Sequence, residues 1–205
     1  RGISGDSVRE MLSMPHKMKV FTWNGERDTM LSTLDSLKHY KRYFQNGFVA
    51  IEPSSGHIKA WVGGINYNYF KYDHVNQSRR QPGSLFKAFV YAAALDNGYA
   101  PCDQMTDRPV SIKYMEKGEE KTWQPHNVDW NHAGTMTLKH AFARSVNSIA
   151  VQLTEKIGWQ KVIQYAKLMG IRSDLDSVPS ICLGSSDVNL LEIVNAYCTF
   201  VNNGY

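Results

Sequence analysis

The chain has 205 residues, of which 42% are hydrophobic and 20% are charged. This composition is typical of a folded globular chain and excludes intrinsic disorder. The formal net charge of +4 comes from scattered basic residues, without an arginine-rich arm or a basic stripe interleaved with aromatic residues, so nucleic acid is not an expected partner. No signal-peptide pattern and no apolar run near the ~20 residues that span a bilayer occur, which predicts a soluble segment cut from a longer protein.

The first part of the chain predicts a hairpin followed by a helix. Residues 18–31 alternate around an Asn-Gly pair, which is typical of a β-hairpin with a tight turn. Apolar residues then recur at helical spacing before Gly47. These residues are Leu34, Leu37, Tyr40 and Phe44. We assign residues 1–46 to a linker hairpin and leading helix, and residues 47–205 to the main domain.

The main domain begins with a strand pair and continues mainly as helices. Residues 48–52 and 57–62 predict two antiparallel strands joined around Gly56, at one edge of a central sheet. Residues 100–137 predict a loop-rich insertion. Two later apolar segments predict helices, residues 159–169 ending at Gly170 and residues 187–201 ending at Gly204.

A serine precedes an apolar helix near the middle of the chain. The sequence Gln-Pro-Gly-Ser at residues 81–84 leads into residues 85–95, which are apolar on almost every side and predict a buried helix. Side chains at positions i and i+3 share a helix face, so Lys87 can reach Ser84. A seryl hydroxyl needs a base to become a good nucleophile, and a buried lysine loses its proton more readily than an exposed one. The alternative is an ordinary helix-capping serine with a lysine at that spacing by chance.

A second polar element lies at a helix junction. A short helix over residues 138–144 is followed by Ser145-Val146-Asn147 and by another apolar helix from Ile149. A hydroxyl between a base and a leaving group can relay a proton, and a carboxamide can hold a substrate amide in register. The alternative for Ser145 and Asn147 is a polar junction that caps itself.

The S-x-x-K and S-x-N elements together resemble the motifs of penicillin-binding proteins and serine β-lactamases. Val146 stands where the β-lactamase motif has aspartate. Further segments from about residue 18 onward are similar to the transpeptidase domain of class A penicillin-binding proteins. They are residues 47–53, the turn at 54–56, residues 58–64, 79–84, 123–127 and 191–197.

This resemblance implies an α+β fold of the penicillin-binding transpeptidase and serine β-lactamase type, in which a helical lobe faces an antiparallel sheet. It implies Ser84 as nucleophile, Lys87 as base, Ser145 as proton relay and Asn147 as the substrate-binding residue. The implied reaction crosslinks peptidoglycan stem peptides ending in D-alanyl-D-alanine, is trapped by β-lactam antibiotics and needs no cofactor. The implied parent is anchored in the bacterial inner membrane, carries a glycosyltransferase domain and works on the periplasmic side.

Two other classes stay open from the sequence. One is a β-lactam-binding relative that performs no crosslinking, such as a sensor, a D,D-carboxypeptidase or a β-lactamase. The other is a non-catalytic structural domain that keeps the fold.

The third motif of the family is missing from these residues. No Lys-Thr-Gly or Lys-Ser-Gly occurs in the sequence, and in the family this motif lies on a strand beyond the point where the chain stops. We therefore expect an incomplete sheet, a need for the downstream segment, and a polypeptide that is inactive alone.

A metal site is not expected, and at least one cysteine is expected to be free. His126, Asp129 and His132 cluster in a polar loop, but their spacing matches no common zinc motif, so loop polarity explains them better. The three cysteines are Cys102, Cys182 and Cys198. An odd number cannot all pair internally, so at least one buried free thiol is expected.

Overall fold

The computed structural model describes residues 4–128 and 130–204. The chain forms two compact units, which are residues 4–46 with 64–72, and residues 47–63 with 73–204. In the part of the chain that the structure describes, no helix has both the length and the apolar character needed to cross a membrane.

The first unit contains the predicted hairpin between two helices. Its elements are α1 (Gly5–Ser13), β1 (His16–Thr22), β2 (Gly25–Leu31) and α2 (Thr33–Tyr40). Strands β1 and β2 pair antiparallel across a turn at Gly25, whose φ of +106° favours glycine, so the hairpin prediction is confirmed. Aromatic rings around Phe21, among them Tyr43 and Phe70, pack edge to face and form the small core of this unit.

The helix α2 ends earlier than the sequence predicts. Its N-cap is Ser32, whose Oγ accepts a hydrogen bond from the N–H of Asp35, and the helix runs from Thr33 to Tyr40. Phe44 was expected on its apolar face but is 95% exposed, so no packing favours a further turn.

The strand pairs of the second unit were predicted only in part. Strands β3 (Phe48–Ile51) and β4 (Ile58–Val62) pair antiparallel, as expected from the sequence, and form a two-stranded sheet within the described residues. A further pair, β5 (Arg79–Arg80) with β10 (Val188–Asn189), was not expected.

The predicted loop-rich insertion contains four strands instead. In the structure β6 (Gln104–Asp107) pairs with β9 (Gly134–Thr137), and β7 (Ile112–Glu116) pairs with β8 (Glu119–Trp123). The turn between β7 and β8 is Lys117-Gly118, and both residues have positive φ, which is the geometry of the tight turns that join twisted strands. The loop prediction was therefore wrong for these segments.

Helices form the centre of the second unit. A 3₁₀-helix (Gly83–Phe86) leads into α3 (Lys87–Asp96), followed by α4 (Leu138–Ala143), α5 (Asn147–Ile157) and α6 (Trp159–Leu168). A second 3₁₀-helix (Pro179–Leu183) and α7 (Leu190–Cys198) complete the set. The helix α3 packs against α5 and α6, which confirms the buried helix predicted from residues 85–95.

The helix α7, Leu190–Cys198, is shorter than the helix predicted over residues 187–201. Asn189 caps α7 by accepting a hydrogen bond at 2.8 Å from the N–H of Glu192, so Val188 and Asn189 lie in β10 rather than in the helix. All three cysteines are free, and Cys182 is fully buried, which confirms the expected buried thiol.

Candidate active site

Ser84 lies on the 3₁₀-helix that precedes α3. Gly83 has a φ of +58°, and the chain then tightens into the 3₁₀ turn before α3 begins at Lys87. Phe86 and Lys87 point into the interior, whereas Ser84 is exposed. The turn therefore presents the hydroxyl of Ser84 to solvent at the edge of the core.

A close backbone approach fixes this turn. Gly184 has a φ of +72°, and its carbonyl accepts a hydrogen bond at 3.4 Å from the N–H of Gly83. A Cβ atom added to Gly184 would lie 2.3 Å from the carbonyl oxygen of Gly83. Since both the conformation and the contact exclude a side chain, glycine is required at position 184 to hold the turn that carries Ser84.

Replacing Gly184 by alanine is therefore expected to destabilise the protein by about 2–5 kcal/mol, because a left-handed residue costs roughly 1–2 kcal/mol and overpacking adds roughly 1–3 kcal/mol. Gly56→Ala is the matched control, since Gly56 has a φ of +71° but open space around its Cβ position. Denaturant unfolding followed by tryptophan fluorescence measures both changes. Equal losses for the two variants would show that the contact with Gly83 contributes nothing.

Lys87 is the buried cation of the site. Its side chain is 1% exposed, and its Nζ donates to the Ser145 carbonyl at 2.6 Å, to Ser145 Oγ at 2.9 Å and to Asn147 Oδ1 at 2.6 Å. It forms no ion pair with any residue in the described ranges. Burial lowers the pKa of Lys87 from 10.5 to about 8, so a substantial fraction of the amine is neutral slightly above neutral pH.

The thiol of Cys182 is a second buried titratable group near Lys87. Burial raises the pKa of Cys182 to about 12, against smaller opposing effects of a hydrogen bond with Thr154 and of the charge on Lys87. Cys182 therefore stays a neutral thiol at physiological pH and does not supply a counter-charge to Lys87.

Ser145 adopts an unusual backbone conformation at the junction of α4 and α5. Its φ is +54°, in the left-handed region, which costs a residue other than glycine roughly 1–2 kcal/mol. In this conformation both the carbonyl and the hydroxyl of Ser145 accept hydrogen bonds from Lys87. Strain of this kind persists where surrounding contacts hold the residue in place, and it is common at functional sites.

The structure brings three of the four predicted site residues into direct contact. Lys87, Ser145 and Asn147 form one hydrogen-bonded group, although they come from α3, the α4–α5 junction and the first residue of α5. The Lys87 amine donates to Ser145 and Asn147, and among the described residues no hydrogen bond joins Ser84 Oγ to Lys87 Nζ. A direct proton transfer between Ser84 and Lys87 therefore needs the two groups to come into hydrogen-bond distance, and catalytic hydrogen bonds commonly tighten only when substrate binds.

Both polar atoms of the Asn147 carboxamide have a partner in the protein. Its Oδ1 accepts from Lys87, and its Nδ2 donates to the carbonyl of His126 at 2.8 Å. Because the partner of Oδ1 is a donor and the partner of Nδ2 is an acceptor, this amide orientation is the one that the contacts allow.

Asp107 is a functional candidate that sequence reasoning missed. Its carboxylate is 4% exposed and accepts from His132 Nδ1 at 2.9 Å, the Ala133 N–H at 2.8 Å, Asn127 Nδ2 at 2.9 Å and the hydroxyl of Ser148. Burial raises the pKa of this carboxyl, but the hydrogen bonds outweigh burial and bring the pKa down to about 2. A buried anion thus lies under the start of α5, and no sequence motif marked it.

Asn127 connects this anion to the site. Its Oδ1 accepts from the N–H groups of Asn147 at 3.1 Å and Ser148 at 3.2 Å, which caps α5. Asn127 belongs to residues 123–127, which carry part of the family resemblance. The sequence therefore marked this segment but indicated no role for the side chain of Asn127.

Two of the residues that were considered as metal ligands, His126 and His132, have other partners in the structure. His132 hydrogen-bonds to Asp107, and the ring of His126 stacks on Trp130 with centroids 4.3 Å apart. Asp129 lies outside the described residues. Among the residues that the structure describes, no group of three or more potential metal ligands occurs.

A cavity of about 270 Å³ opens beside Ser145. Its lining includes Ser145, Arg144, Asn131 and Asp107. The nucleophile candidate, the buried lysine and the cavity belong to the same compact unit.

Comparison with known proteins gives the family. The family model described as the penicillin binding protein transpeptidase domain matches residues 46–205, and the model of the penicillin-binding protein middle domain matches residues 1–44. Penicillin-binding protein 1A of Rickettsia typhi is 38% identical over 160 residues, covering 78% of this chain and 20% of the relative. Penicillin-binding protein 1A of Pseudomonas aeruginosa is 33% identical over 162 residues, covering 78% of this chain and 20% of the relative. The crystal structure of penicillin-binding protein 1A from Haemophilus influenzae aligns with a TM-score of 0.71 at 28% identity, over 89% of this chain and 26% of that one.

The chain belongs to the penicillin-binding protein transpeptidase family. The α+β fold expected from the resemblance is confirmed by the structural likeness. The chain spans about a fifth of the length of the curated relatives it matches.

Proposed function

We propose that this chain contributes the acylating centre of a serine-type D,D-transpeptidase that crosslinks peptidoglycan stem peptides. The observation that carries the proposal is the contact of the buried Lys87 amine with Ser145 and Asn147. Lys87 follows the exposed Ser84 by three residues, at the point where the 3₁₀-helix passes into α3. The family membership and the similarity to penicillin-binding protein 1A of several bacteria support the same function.

In the proposed reaction the oxygen of Ser84 attacks the carbonyl carbon of the penultimate D-alanine of a stem peptide. The proton of the Ser84 hydroxyl passes to the neutral amine of Lys87, whose pKa of about 8 suits a base at physiological pH. The backbone N–H of Ser84 donates to the developing oxyanion. The peptide C–N bond then breaks and leaves an acyl ester on Ser84.

The leaving D-alanine needs a proton on its nitrogen. Ser145 Oγ lies 2.9 Å from Lys87 Nζ, so the hydroxyl of Ser145 can donate to the leaving nitrogen while it takes a proton from Lys87. The second half of the reaction reverses these transfers, with the amine of a neighbouring stem peptide attacking the ester and releasing Ser84. A β-lactam follows the first half, but because its amide is cyclic, the nitrogen freed when the C–N bond breaks stays tethered to the acyl group on Ser84 and does not leave the site.

Asn147 is proposed to bind the substrate amide. Its Nδ2 donates one hydrogen to the carbonyl of His126 in this structure and keeps a second hydrogen that can be donated to substrate. The donor Nδ2 then suits a carbonyl oxygen of the stem peptide.

Residues 1–46 are proposed to form a separate leading segment and residues 47–205 the transpeptidase part. The full-length protein is proposed to be anchored in the inner membrane of a bacterium, to carry a glycosyltransferase domain and to act on the periplasmic side. The Lys-Thr-Gly strand is proposed to come from the segment that follows this one in the full-length protein. This assignment is supported by the length of the relatives, of which the chain covers 20%.

A fluorescent penicillin tests the proposal on the full-length protein. We expect covalent labelling that is stable over the time of a transpeptidase cycle, and release of D-alanine with formation of a crosslinked product when donor and acceptor stem peptides are supplied. Label that is lost rapidly by hydrolysis would favour a β-lactamase relative, and label without any crosslinked product would favour a sensor. Absence of label would overturn the proposed enzyme class.

A further inference from the structure

The helix α5, which begins with Asn147, lacks a cap of its own. Val146 is the N-cap residue and has no side-chain acceptor, and none of the N-terminal N–H groups of α5 is capped from that position. The first turn of a helix leaves N–H groups that need partners outside the helix. The backbone of Val146 is extended, as in ordinary N-caps, so only the side chain of this position differs from a capping residue.

Asn127 supplies the missing acceptor from twenty residues earlier in the chain. Its Oδ1 lies 3.1 Å from the N–H of Asn147 and 3.2 Å from the N–H of Ser148. Its Nδ2 donates to the Asp107 carboxylate and to the carbonyl of Asn131 at 2.8 Å. All partners of Nδ2 are acceptors and both partners of Oδ1 are donors, so the amide has one orientation.

We infer that Asn127, locked by the buried carboxylate of Asp107, is a positioning residue that caps α5 in place of Val146 and so holds Ser145 and Asn147 against Lys87. The inference deepens the proposed function and rests on it. Asp107 stabilises the start of α5 through two contacts. It accepts a hydrogen bond from Asn127, and it also accepts from the hydroxyl of Ser148 in the first turn of α5. A negative charge at this end of a helix is favourable as well, because the helix dipole is positive there.

The link to the proposed chemistry runs through Asn147. The neighbouring residues His126 and Asn127 together fix Asn147, the first through its carboxamide and the second through its backbone N–H. Asn147 in turn accepts from Lys87, and Ser145, two residues before it, holds a strained φ of +54°. Without the cap, the first turn of α5 is free to shift, and the acceptors that fix the Lys87 amine shift with it.

The test uses the full-length protein and the second-order rate of acylation by a fluorescent penicillin. We expect Asn127→Ala to lower this rate about 10–100-fold, mainly through the rate constant for acylation at saturating penicillin. Gln124→Ala is the matched control from the same segment, since Gln124 is exposed and contacts Ser111 rather than α5. Its rate is expected to stay within about twofold of the wild type, as for surface substitutions in general.

The Val146→Thr substitution tests whether the rate loss in Asn127→Ala comes from the missing cap or from a general loss of structure. Threonine has nearly the shape of valine, and its hydroxyl is a good N-cap acceptor. We expect Val146→Thr to raise the rate of the Asn127→Ala protein about tenfold, and to change the rate much less when Asn127 is present. An equal effect of Val146→Thr in both backgrounds would overturn the inference, as would an Asn127→Ala rate within twofold of the wild type.

A second variant and a second readout keep the inference testable if Asn127→Ala fails to fold. Asp107→Asn keeps the shape but places an NH₂ group among four donors, which weakens the hold on Asn127. Because the side chain of Asn127 remains, we expect a smaller loss of rate than for Asn127→Ala, about 5–10-fold, that Val146→Thr again reduces. Hydrogen exchange of the amides of residues 147–150 should speed up in either variant and slow down again with Val146→Thr. This exchange readout needs no penicillin, so it tests the cap independently of the proposed function. If the wild-type protein is not labelled by penicillin but the variants show the expected exchange rates, the proposed function is wrong and the capping role of Asn127 is retained.

Discussion

Ser84→Ala is expected to abolish covalent labelling of the full-length protein by a fluorescent penicillin. The hydroxyl oxygen is the atom that forms the ester in the proposed reaction, and alanine offers no atom that can replace it. Ser84 is exposed, and its side chain has no hydrogen bond to any residue of the described part of the chain. The substitution is therefore expected to change the free energy of unfolding by no more than about 0.5 kcal/mol.

Ser54→Ala serves as the control for this experiment, because Ser54 is also an exposed serine of the same unit. Gel fluorescence and the intact mass of the protein measure the label, and peptide mapping locates it. Labelling that persists in Ser84→Ala at the wild-type rate would assign the nucleophile to another residue. Loss of label together with a large drop in stability would instead point to misfolding.

The fold could be predicted where the local sequence pattern matches the burial of the element. The helix from Lys87 is apolar on almost all sides, and the structure buries it in the core as expected. The hairpin of residues 18–31 was predicted because an Asn-Gly turn lies between two alternating segments. In both cases the local sequence and the tertiary structure favour the same conformation.

The strands β7 and β8 could not be predicted in the same way. Most residues of β8 are exposed, so its sequence, Glu119 to Trp123, carries no apolar alternation. The informative feature was the Lys117-Gly118 pair, which forms the turn but is a weaker turn signal than Asn-Gly.

The residues of the candidate site could also be predicted only in part. The motifs gave Lys87, Ser145 and Asn147, and the structure places them in contact. The sequence did not indicate Asp107, because a buried carboxylate is recognised by its donors, and these come from residues 20–41 positions away. The left-handed conformation of Ser145 was also not predictable, since nothing in Ser-Val-Asn requires a positive φ.

The rate of acylation is expected to rise with pH through an apparent pKa of about 8. The proposed base is the neutral amine of Lys87, and burial lowers its pKa from 10.5 to about 8. Below that pH the amine is protonated and cannot accept the proton of Ser84, so the rate falls about tenfold for each pH unit. The pH dependence of the second-order rate with fluorescent penicillin measures this value.

Lys87→Met is expected to lower the rate by about 10²–10⁴-fold and to remove the rise near pH 8, because no other base replaces the amine. Methionine is similar in length and apolar, so it fills the buried site, and the fold should be kept. Lys87→Arg is the matched control that retains a cation. Since arginine stays protonated throughout this range, its rate should be low and should not show the same rise.

Stability gives an independent check on the buried amine. The pKa of Lys87 is about 8 in the folded protein and near 10.5 in an exposed chain, so between these values the unfolded state binds more protons. The free energy of unfolding contributed by this group must therefore increase as the pH rises from about 8 to 10.5, and it is lowest, and constant, below that window. Urea unfolding of the wild type and of Lys87→Met across this range measures the difference. Parallel curves for the two proteins would mean that Lys87 titrates like an exposed lysine, and the amine would then be too strongly protonated to serve as the base.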